Sequence, residues 1–334
     1  MTRLAAVAVA ATLALLAAAC GGDDGSGGGN GGEGVRVAVV TDLGGLNDRG
    51  FNALANKGLE RAESELGVEG RVFISKSAND YVPNLTRAAR DGYDLVIANG
   101  FLMGDALANV AARFPETDFA IIDFPWTALE GAPENTRGLV FAEQEAGYLV
   151  GVAAATVADG GAVSAVGGQE VPAVVAFLAG YKAGARATDT SIRVLEGYSQ
   201  DFVDQAKCKE LALNQIQDGS KVVFAAAGGC GLGALQATKD QSLWGIGVDS
   251  DQSFLGPHVL TSATKKVDVA VFETVTSVLD GKFSGGGDTL FDVANGGVGY
   301  GTVSPDAPNR DALLDELDAV AERIKAGGIV IPRE

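Results

Sequence analysis

From Val35 onward, short apolar runs rich in β-branched residues alternate with longer amphipathic segments. This alternation predicts parallel strands with helices between them, because strands that are buried on both faces read as continuous apolar runs. The predicted strands form two groups of four: 35–40, 71–75, 95–98 and 119–123, then 162–167, 192–198, 221–227 and 244–249. A helix over 145–158 begins the second group. The pattern therefore predicts an α/β protein with two lobes.

The N-terminal segment departs from this pattern. An apolar run, Leu4–Ala19, is 16 residues long, which suits the core of a signal peptide better than a membrane span of roughly 20 residues. It ends in three alanines and Cys20, a context that resembles the bacterial lipobox, whose cysteine is acylated, although leucine is usual where Ala17 stands. We expect residues 1–19 to be a lipoprotein signal peptide. Ordinary signal cleavage after Ala19 is the alternative.

The segment 20–34 joins this cysteine to the first predicted strand. Nine of the fourteen residues after Cys20 are glycine, and such a stretch cannot bury apolar surface and behaves as a flexible coil. Between an acylation site and a folded domain, it suits a tether. The expected location is therefore the extracytoplasmic face of the cell membrane, with the protein held there by its lipid anchor.

Composition limits the classes of partner and of chemistry. The 334-residue chain has 25 basic and 43 acidic residues and a formal charge of −18, which argues against nucleic acid as a partner. A single histidine, His258, excludes a multi-histidine metal site. Three cysteines without a C-x-x-C motif exclude a zinc ribbon or a thioredoxin-like centre. We expect neither a metal nor a cofactor.

In open parallel sheets, ligands bind beyond the carboxyl ends of the strands. The residues that follow the predicted strands are polar, glycine or aromatic, which suits a cleft that binds a small polar ligand. They include no nucleophile paired with a base, so a binding protein is expected rather than an enzyme. These positions are Thr41-Asp42, Asn99-Gly100-Phe101, Asp123-Phe124, Gly167-Gly168, Tyr198, Gly228-Gly229 and Asp249-Ser250-Asp251.

The segment TDLGGLNDRGFN, residues 41–52, resembles the D-x-G-G-x-x-D-x-x-F-N opening of the basic membrane protein (BMP) family. These proteins are lipoprotein substrate-binding components of ABC importers, and the best understood are purine nucleoside receptors. The resemblance continues in order over 35–334. The further segments that carry it are 97–107, 142–155, 166–184, 201–212, 225–235, 247–252, 260–271 and 295–300.

This resemblance implies a periplasmic binding protein fold of the first type, in which two Rossmann-like lobes are joined by three crossovers. It places lobe 1 at 35–142 plus 251–285 and lobe 2 at 143–250 plus 286–334. The crossovers are then expected near Ala142, near 249–251 and near Gly285. The implied function is capture of a nucleoside, by the resemblance a purine nucleoside, by hinge closure, with an ABC permease and its ATPase as partners.

The resemblance also assigns roles to four residues. Asp42 is expected to accept hydrogen bonds from the base, and Phe51 to stack on it, with core packing as the alternative role for Phe51. Asp249 resembles the aspartate that binds the ribose hydroxyls. Lys265 aligns with a lysine that reaches the sugar, and the adjacent Lys266 leaves this register open by one residue.

Four further ligand-binding candidates rest on less evidence. Asn52 closes the opening motif, and Gly228 follows a predicted strand. Asn99 and Phe224 are expected at strand ends that face the cleft, and for both a buried structural role is equally compatible with the sequence.

Two other functions remain open. A ligand-sensing lipoprotein that signals to a membrane partner would share all of these features. A nucleotide-cofactor enzyme is suggested by the Gly229-x-Gly231 loop between a strand and a helix, with Asp249 eighteen residues further on. The predicted export and the lack of a hydride-transfer acid or base weaken this second alternative.

The two remaining cysteines are Cys208, in the helix after strand 192–198, and Cys230, in the loop after strand 221–227. If these strands are neighbours, as consecutive strands usually are, both cysteines lie at one edge of the sheet and a disulfide is feasible. Two buried free thiols are the alternative.

Overall fold

The computed structural model describes residues 34–334. The predicted signal peptide, Cys20 and nearly all of the predicted tether lie outside these residues. The strands are β1 (Arg36–Thr41), β2 (Glu69–Phe73), β3 (Leu95–Asn99), β4 (Asp118–Ile122), β5 (Thr136–Phe141), β6 (Ala162–Gly167), β7 (Arg193–Tyr198), β8 (Ser220–Ala226), β9 (Trp244–Asp249), β10 (Val259–Lys265), β11 (Gly287–Phe291) and β12 (Val298–Tyr300).

Helices connect most of these strands. They are α1 (Phe51–Leu66), α2 (Tyr81–Arg90), α3 (Gly104–Ala111), α4 (Glu143–Ala158), α5 (Pro172–Thr188), α6 (Gln205–Gln217), α7 (Gly228–Asp240), α8 (Val267–Leu279) and α9 (Arg310–Lys325). No helix within residues 34–334 has the length and apolar character needed to cross a membrane.

The strands form two six-stranded sheets, one in each lobe. The first has the order β11-β5-β4-β3-β1-β2 and the second β12-β10-β9-β8-β6-β7. The paired strands run parallel, except that β12 is antiparallel to β10. All eight predicted strands are present, and their ends agree within two residues. The predicted two-lobe α/β architecture is confirmed.

Four strands were not predicted, and β10 shows why. All seven of its residues are buried, yet four of them are polar: Thr261, Ser262, Thr264 and Lys265. Two of these side chains form hydrogen bonds within the fold. Thr261 Oγ1 donates to the Gly301 carbonyl (2.9 Å), and Ser262 Oγ accepts from the Gln252 backbone amide (3.0 Å). A search for continuous apolar runs cannot find such a strand. The others are β5, β11 and β12, which are partly exposed or short.

The chain crosses between the lobes after β5, after β10 and after β11. The expected second and third crossovers, at 249–251 and near Gly285, are wrong. The reason is strand pairing, because β10 continues the second sheet beside β9 and β11 extends the first sheet beside β5. Residues 251–265 therefore belong to the second lobe and 287–291 to the first.

In the second lobe, α4 and α5 pack closely against each other. A Cβ atom at Gly147 would lie 2.2 Å from the Phe177 carbonyl oxygen, and one at Gly180 would lie 2.0 Å from the Gln144 carbonyl oxygen. Only glycine permits this approach of the two helix backbones. The contact matters for function, because α4 begins at the first crossover and α5 carries side chains of the ligand cavity described below.

A disulfide joins Cys208 and Cys230, whose Cα atoms are 5.6 Å apart. The geometry differs from the expected one. Strands β7 and β8 are not neighbours, since β6 lies between them, and Cys230 lies in the first turn of α7 rather than in a loop. The bond instead joins the N-terminal turns of α6 and α7, which pack side by side.

Candidate ligand-binding site

A cavity lies between the two lobes, at the carboxyl ends of both sheets, where the strand-end argument places a ligand. Both lobes contribute charged and aromatic side chains to its wall. Those from the first lobe are Asp42, Asp48, Phe51, Phe101 and Asp123. Those from the second lobe are Phe177, Phe202, Asp249 and Lys265.

Asp42 follows β1 and is almost fully buried. Its Oδ1 accepts hydrogen bonds from the Tyr81 hydroxyl and from the Leu43 amide, the latter at 2.7 Å. Burial raises the pKa of Asp42 to about 6, although both hydrogen bonds act to lower it. The other oxygen, Oδ2, lies so close to Gly100 that a Cβ there would be 2.5 Å away, and Gly100 also has a left-handed φ of +136°. Glycine at this position therefore makes room for the carboxylate.

Asn52 and Asn99 hold the loop behind Asp42. Asn52 Oδ1 accepts from the Asp42 amide (3.0 Å) and from Asn99 Nδ2 (2.9 Å), and Asn52 Nδ2 donates to the Leu43 carbonyl (3.0 Å). Asn52 reaches the cavity wall, but these bonds already occupy its amide. Asn99 is completely buried and lies behind Asn52. The structure therefore gives Asn99 the structural role that the sequence left open.

Asp48 is a buried cavity residue that our sequence-based candidates omitted. Its Oδ1 accepts from the amides of Gly50 and Ala53, both at 3.1 Å, and its Oδ2 accepts from the Asn52 amide at 2.7 Å. These bonds satisfy the free amides at the N-terminus of α1 and so fix the turn that presents Phe51. An acidic residue shortly before a helix is a capping signal, which could have marked Asp48 as a helix-start residue but not as part of the cavity wall.

Asp249 ends β9 in the second lobe and is 7% exposed, with a left-handed φ of +62°. Burial raises the pKa of Asp249 to about 7, the positive charge of Lys265 opposes this, and nearby carboxylates, Asp123 first among them, add to it. Within residues 34–334, no hydrogen-bond donor reaches this carboxylate. It is thus a buried acceptor that faces the cavity and has room for donors from a ligand.

Lys265, the last residue of β10, is 1% exposed. Its Nζ lies 2.5 Å from Asp123 Oδ1 and 3.0 Å from Glu143 Oε1, and it lies 5.3 Å from the centre of the Phe51 ring. Burial would lower the pKa of Lys265, but the surrounding carboxylates outweigh burial and raise it. The lysine therefore stays charged.

The position of Lys265 answers the register question, because Lys266 is exposed and lies at the start of α8. The two partners of Lys265 were missed as site residues. Asp123 had been noted only as a strand-end residue. Glu143 begins α4, two residues before the helix that the sequence predicts over 145–158, and nothing in the sequence indicates that it is buried.

The family model for the ABC transporter substrate-binding protein, PnrA-like (Bmp), matches residues 35–334. The chain belongs to this BMP family. It is a substrate-binding protein of an ABC transporter and not an enzyme. The chain is 34% identical to the ABC transporter nucleoside-binding protein BmpA of Lactococcus lactis, with 89% of each chain covered. It is 36% identical to an uncharacterized lipoprotein of Pyrococcus abyssi, with 80% of this chain and 69% of that protein covered.

Solved structures agree with this assignment. A solute-binding protein of an ABC transporter system from Aeropyrum pernix superimposes with a TM-score of 0.81 at 27% identity, and the match covers 90% of this chain and 94% of that one. A glucose-galactose binding protein from Geobacillus stearothermophilus shares the fold at 16% identity with a TM-score of 0.61. The predicted periplasmic binding protein fold is confirmed.

Of the two aromatic candidates in this BMP-family chain, one lines the cavity wall and the other lies in the hydrophobic core. Phe51 is half-buried in the first turn of α1 and lines the cavity. Phe224 is completely buried, and its ring centre lies 6.1 Å from that of Phe177 and 5.3 Å from that of Tyr181. Of the two roles that the sequence left open for Phe224, its contacts favour the buried one, because its position in β8 packs it against α5. The second-lobe rings that reach the cavity are those of Phe177 and Phe202.

The glycine loop of the BMP-family chain lies beside the cavity. Gly228 has a left-handed φ of +54° and begins α7, and Gly228 and Gly229 both line the cavity wall. Gly231 faces the opposite way, since a Cβ there would lie 3.1 Å from the Ala225 carbonyl oxygen of β8. The spacing that resembles a dinucleotide motif therefore reflects helix–strand packing, and membership of a non-enzymatic family corrects the alternative of a cofactor enzyme.

Proposed function

We propose that this protein captures a nucleoside in the cavity between its lobes and delivers it to an ABC permease. The observation that carries the proposal is that carboxylates from both lobes, Asp42 from the first and Asp249 from the second, face one cavity lined by aromatic rings. A nucleoside has a flat base, ring N–H groups and adjacent sugar hydroxyls. It can therefore contact both lobes at once and favour closure of the hinge between them.

The first lobe suits the base. Asp42 has one oxygen engaged by Tyr81 and Leu43, so its other oxygen can accept an N–H group of the ligand. Phe51 presents a half-buried ring to the same space. Stacking of a base on an aromatic side chain contributes about 1–3 kcal/mol.

The second lobe suits the sugar. An ionised carboxylate can accept two hydroxyl groups, and Asp249 has no other donor within residues 34–334. Lys265 is charged and close to Phe51, so its ammonium group can donate to a sugar oxygen while it keeps its bonds to Asp123 and Glu143.

The charge of the cavity supports a ligand without phosphate. Among residues 34–334, four carboxyl groups reach its wall, those of Asp42, Asp48, Asp123 and Asp249, and the one cation there is Lys265. That cation is already paired with two carboxylates. A nucleotide would therefore place its phosphate charge in a negative environment. The printed name of the Lactococcus lactis relative, a nucleoside-binding protein, agrees with this choice.

Isothermal titration tests the proposal. The ligand-free domain is titrated with adenosine, guanosine, inosine, cytidine and uridine, and with adenosine monophosphate and free ribose as comparisons. We expect binding of at least one purine nucleoside and at least tenfold weaker binding of the monophosphate. Asp42→Ala and Asp249→Ala should abolish binding while the protein stays folded. Asp306→Ala, the same change at an exposed position, should leave affinity unchanged. Absence of nucleoside binding would contradict the proposal.

We also propose that Cys20 is acylated and anchors the domain at the extracytoplasmic face of the membrane. The lipobox-like sequence supports this, and so does the name of the Pyrococcus abyssi relative, a lipoprotein. The glycine-rich segment would then hold the domain about 20 Å from the anchor. Cys20→Ser should release the protein from the membrane fraction. Failure of a labelled fatty acid to mark the wild-type protein would contradict the anchor.

A further inference from the structure

The two lobes touch beside the cavity through residues that do not line it. Ser250 Oγ of the second lobe donates to the carbonyl oxygen of Arg49 in the first lobe at 2.7 Å, and Gln252 Nε2 donates to the same oxygen at 3.3 Å. The guanidinium of Arg49 lies over the ring of Phe254, 5.8 Å from its centre. One backbone carbonyl and one cation of the first lobe thus meet three side chains of a single loop of the second lobe.

The first-lobe side of this contact is held in a defined conformation. Arg49 has a left-handed φ of +55°, a conformation that non-glycine residues seldom adopt. Its neighbour Asp48 caps α1 through three backbone amides. Its other neighbour, Gly50, lies against the second lobe, where a Cβ would be in van der Waals contact with Asp249 Oδ2 at 3.5 Å. The Arg49 carbonyl therefore has little freedom to seek another donor.

The second-lobe side is also fixed from within. The backbone amide of Gln252 donates to Ser262 Oγ at 3.0 Å, and its side-chain Oε1 accepts from the Val248 backbone amide at 3.2 Å. These bonds aim the Gln252 side-chain amide at the Arg49 carbonyl. Ser250 directly follows Asp249, the carboxylate that faces the cavity. Each side of the contact is therefore one residue away from a cavity-lining group.

We propose that Arg49, Ser250, Gln252 and Phe254 form a latch that holds the lobes closed and sets ligand affinity without touching the ligand. Its bonds exist only while the lobes are together, so the latch favours the closed state in the presence and in the absence of ligand. Apparent affinity is the intrinsic affinity multiplied by the fraction of protein that is closed, and removal of the latch lowers that fraction. The choice of ligand rests on the proposed function, but the latch itself does not.

Ser250→Ala is the sharpest test, because it removes one hydroxyl and leaves the backbone in place. Ser64→Ala is the matched control, since Ser64 Oγ also donates to a backbone carbonyl, that of Arg61 at 3.0 Å, but within one helix of one lobe. Loss of one neutral hydrogen bond should weaken adenosine binding about twofold to tenfold. We expect isothermal titration to show this loss of affinity in Ser250→Ala and no change in Ser64→Ala.

Phe254→Ala provides a second variant that should fold, because this side chain is 60% exposed. Loss of the ring beneath the Arg49 guanidinium should weaken adenosine binding about twofold to fivefold. Equal adenosine affinities in wild type, Ser250→Ala and Phe254→Ala would overturn the latch.

Small-angle scattering of the ligand-free proteins separates the latch from the nucleoside proposal. Ser250→Ala should have a larger radius of gyration than wild type, and Ser64→Ala should match wild type. If adenosine binds none of the proteins, the choice of nucleoside fails and the scattering result alone decides the latch. Equal radii for Ser250→Ala and Ser64→Ala would then contradict it.

Discussion

The two walls of the cavity satisfy their polar groups in different ways. In the first lobe, Asp48 and Asn52 are fully engaged with backbone amides, a backbone carbonyl and the side chain of Asn99. Asp42 receives two hydrogen bonds at one oxygen. In the second lobe, no donor within residues 34–334 reaches the buried carboxylate of Asp249, and the charge of Lys265 opposes the nearby carboxylates of Asp123, Asp48 and Glu143.

This difference assigns separate tasks to the two walls. The first wall is preorganised, so ligand binding there requires little rearrangement of the protein. The second wall carries a buried charge that is unfavourable until a ligand supplies donors, a trade of stability for function. Changes in the second wall should therefore alter the free energy of unfolding as well as affinity, and changes in the first wall should alter mainly affinity.

The largest effect should follow Lys265→Met. This substitution removes the cation and leaves Asp123 and Glu143 buried together without it. Breaking a buried ion pair in this way destabilises a protein by about 3–5 kcal/mol. Urea denaturation of the ligand-free protein measures the change. Lys266→Met is the matched control at the next residue, which is exposed, and should change stability little. Equal unfolding free energies for the two variants would show that the charge of Lys265 is not needed in the fold.

Asp249→Asn should have the opposite effect on stability. Burial raises the pKa of Asp249 from 3.8 to about 7 in the folded protein. Between these values the folded state binds more protons than the unfolded state, so the unfolding free energy falls as pH rises from about 4 to 7. The neutral amide avoids this loss. We expect Asp249→Asn to be more stable than wild type by about 2–4 kcal/mol at pH 8, and by less at pH 5, while nucleoside binding is lost.

Urea denaturation of Asp249→Asn and wild type at both pH values measures this difference. Asp306→Asn controls for the change of residue type at an exposed site. A variant that is less stable than wild type at pH 8 would mean that Asp249 is held by favourable contacts. The contrast between the two walls would then disappear.

Phe51→Ala tests the first wall. Loss of the stacking face should weaken nucleoside binding by about 1–3 kcal/mol, measured by isothermal titration, and Phe51→Leu should recover only part of this. The melting temperature of the ligand-free protein should fall little, because Phe51 is half-buried beside the cavity. A sharp fall in melting temperature with unchanged affinity would instead identify Phe51 as a core residue.

The sequence predicts the parts of this fold that are apolar and local. The eight apolar strands were predicted correctly, whereas β10 was missed because four of its seven buried residues are polar. Because β10 was not predicted, the second crossover was expected before this strand, at 249–251, whereas it follows β10 in the structure. The position of β11 was equally out of reach, because its pairing with β5 joins residues that are about 150 apart in the chain.

The site shows the same limit. Asp42, Phe51, Asp249 and Lys265 were selected from motifs, and the structure brings them to one cavity. The sequence left both a cleft-facing and a buried role open for Phe224 and Asn99, because a strand-end position alone does not tell which way a side chain points. Glu143 was missed, because its buried ion pair is with Lys265, which lies 122 residues further along the chain.

The smallest predicted effect concerns Tyr81, whose hydroxyl donates to Asp42 Oδ1. Burial raises the pKa of Asp42 to about 6, and the Tyr81 hydrogen bond acts against this rise. Tyr81→Phe should therefore raise the pKa of Asp42 further. Because the ligand is expected to need both ionised carboxylates, affinity should fall in two steps as pH drops, first through the pKa of Asp249 at about 7 and then through that of Asp42 at about 6. Only the lower of the two midpoints should move to higher pH in Tyr81→Phe.

Isothermal titration between pH 5 and pH 8.5 measures both midpoints. At pH 8.5, where Asp42 stays ionised, we expect Tyr81→Phe to weaken binding only about twofold to tenfold, the effect of one lost hydrogen bond. Tyr181→Phe is the matched control, because the Tyr181 hydroxyl is buried and has no hydrogen-bond partner within residues 34–334. It should leave the lower midpoint unchanged. An unmoved lower midpoint in Tyr81→Phe would show that the first wall holds Asp42 without this bond and that its preorganisation depends on the Leu43 amide.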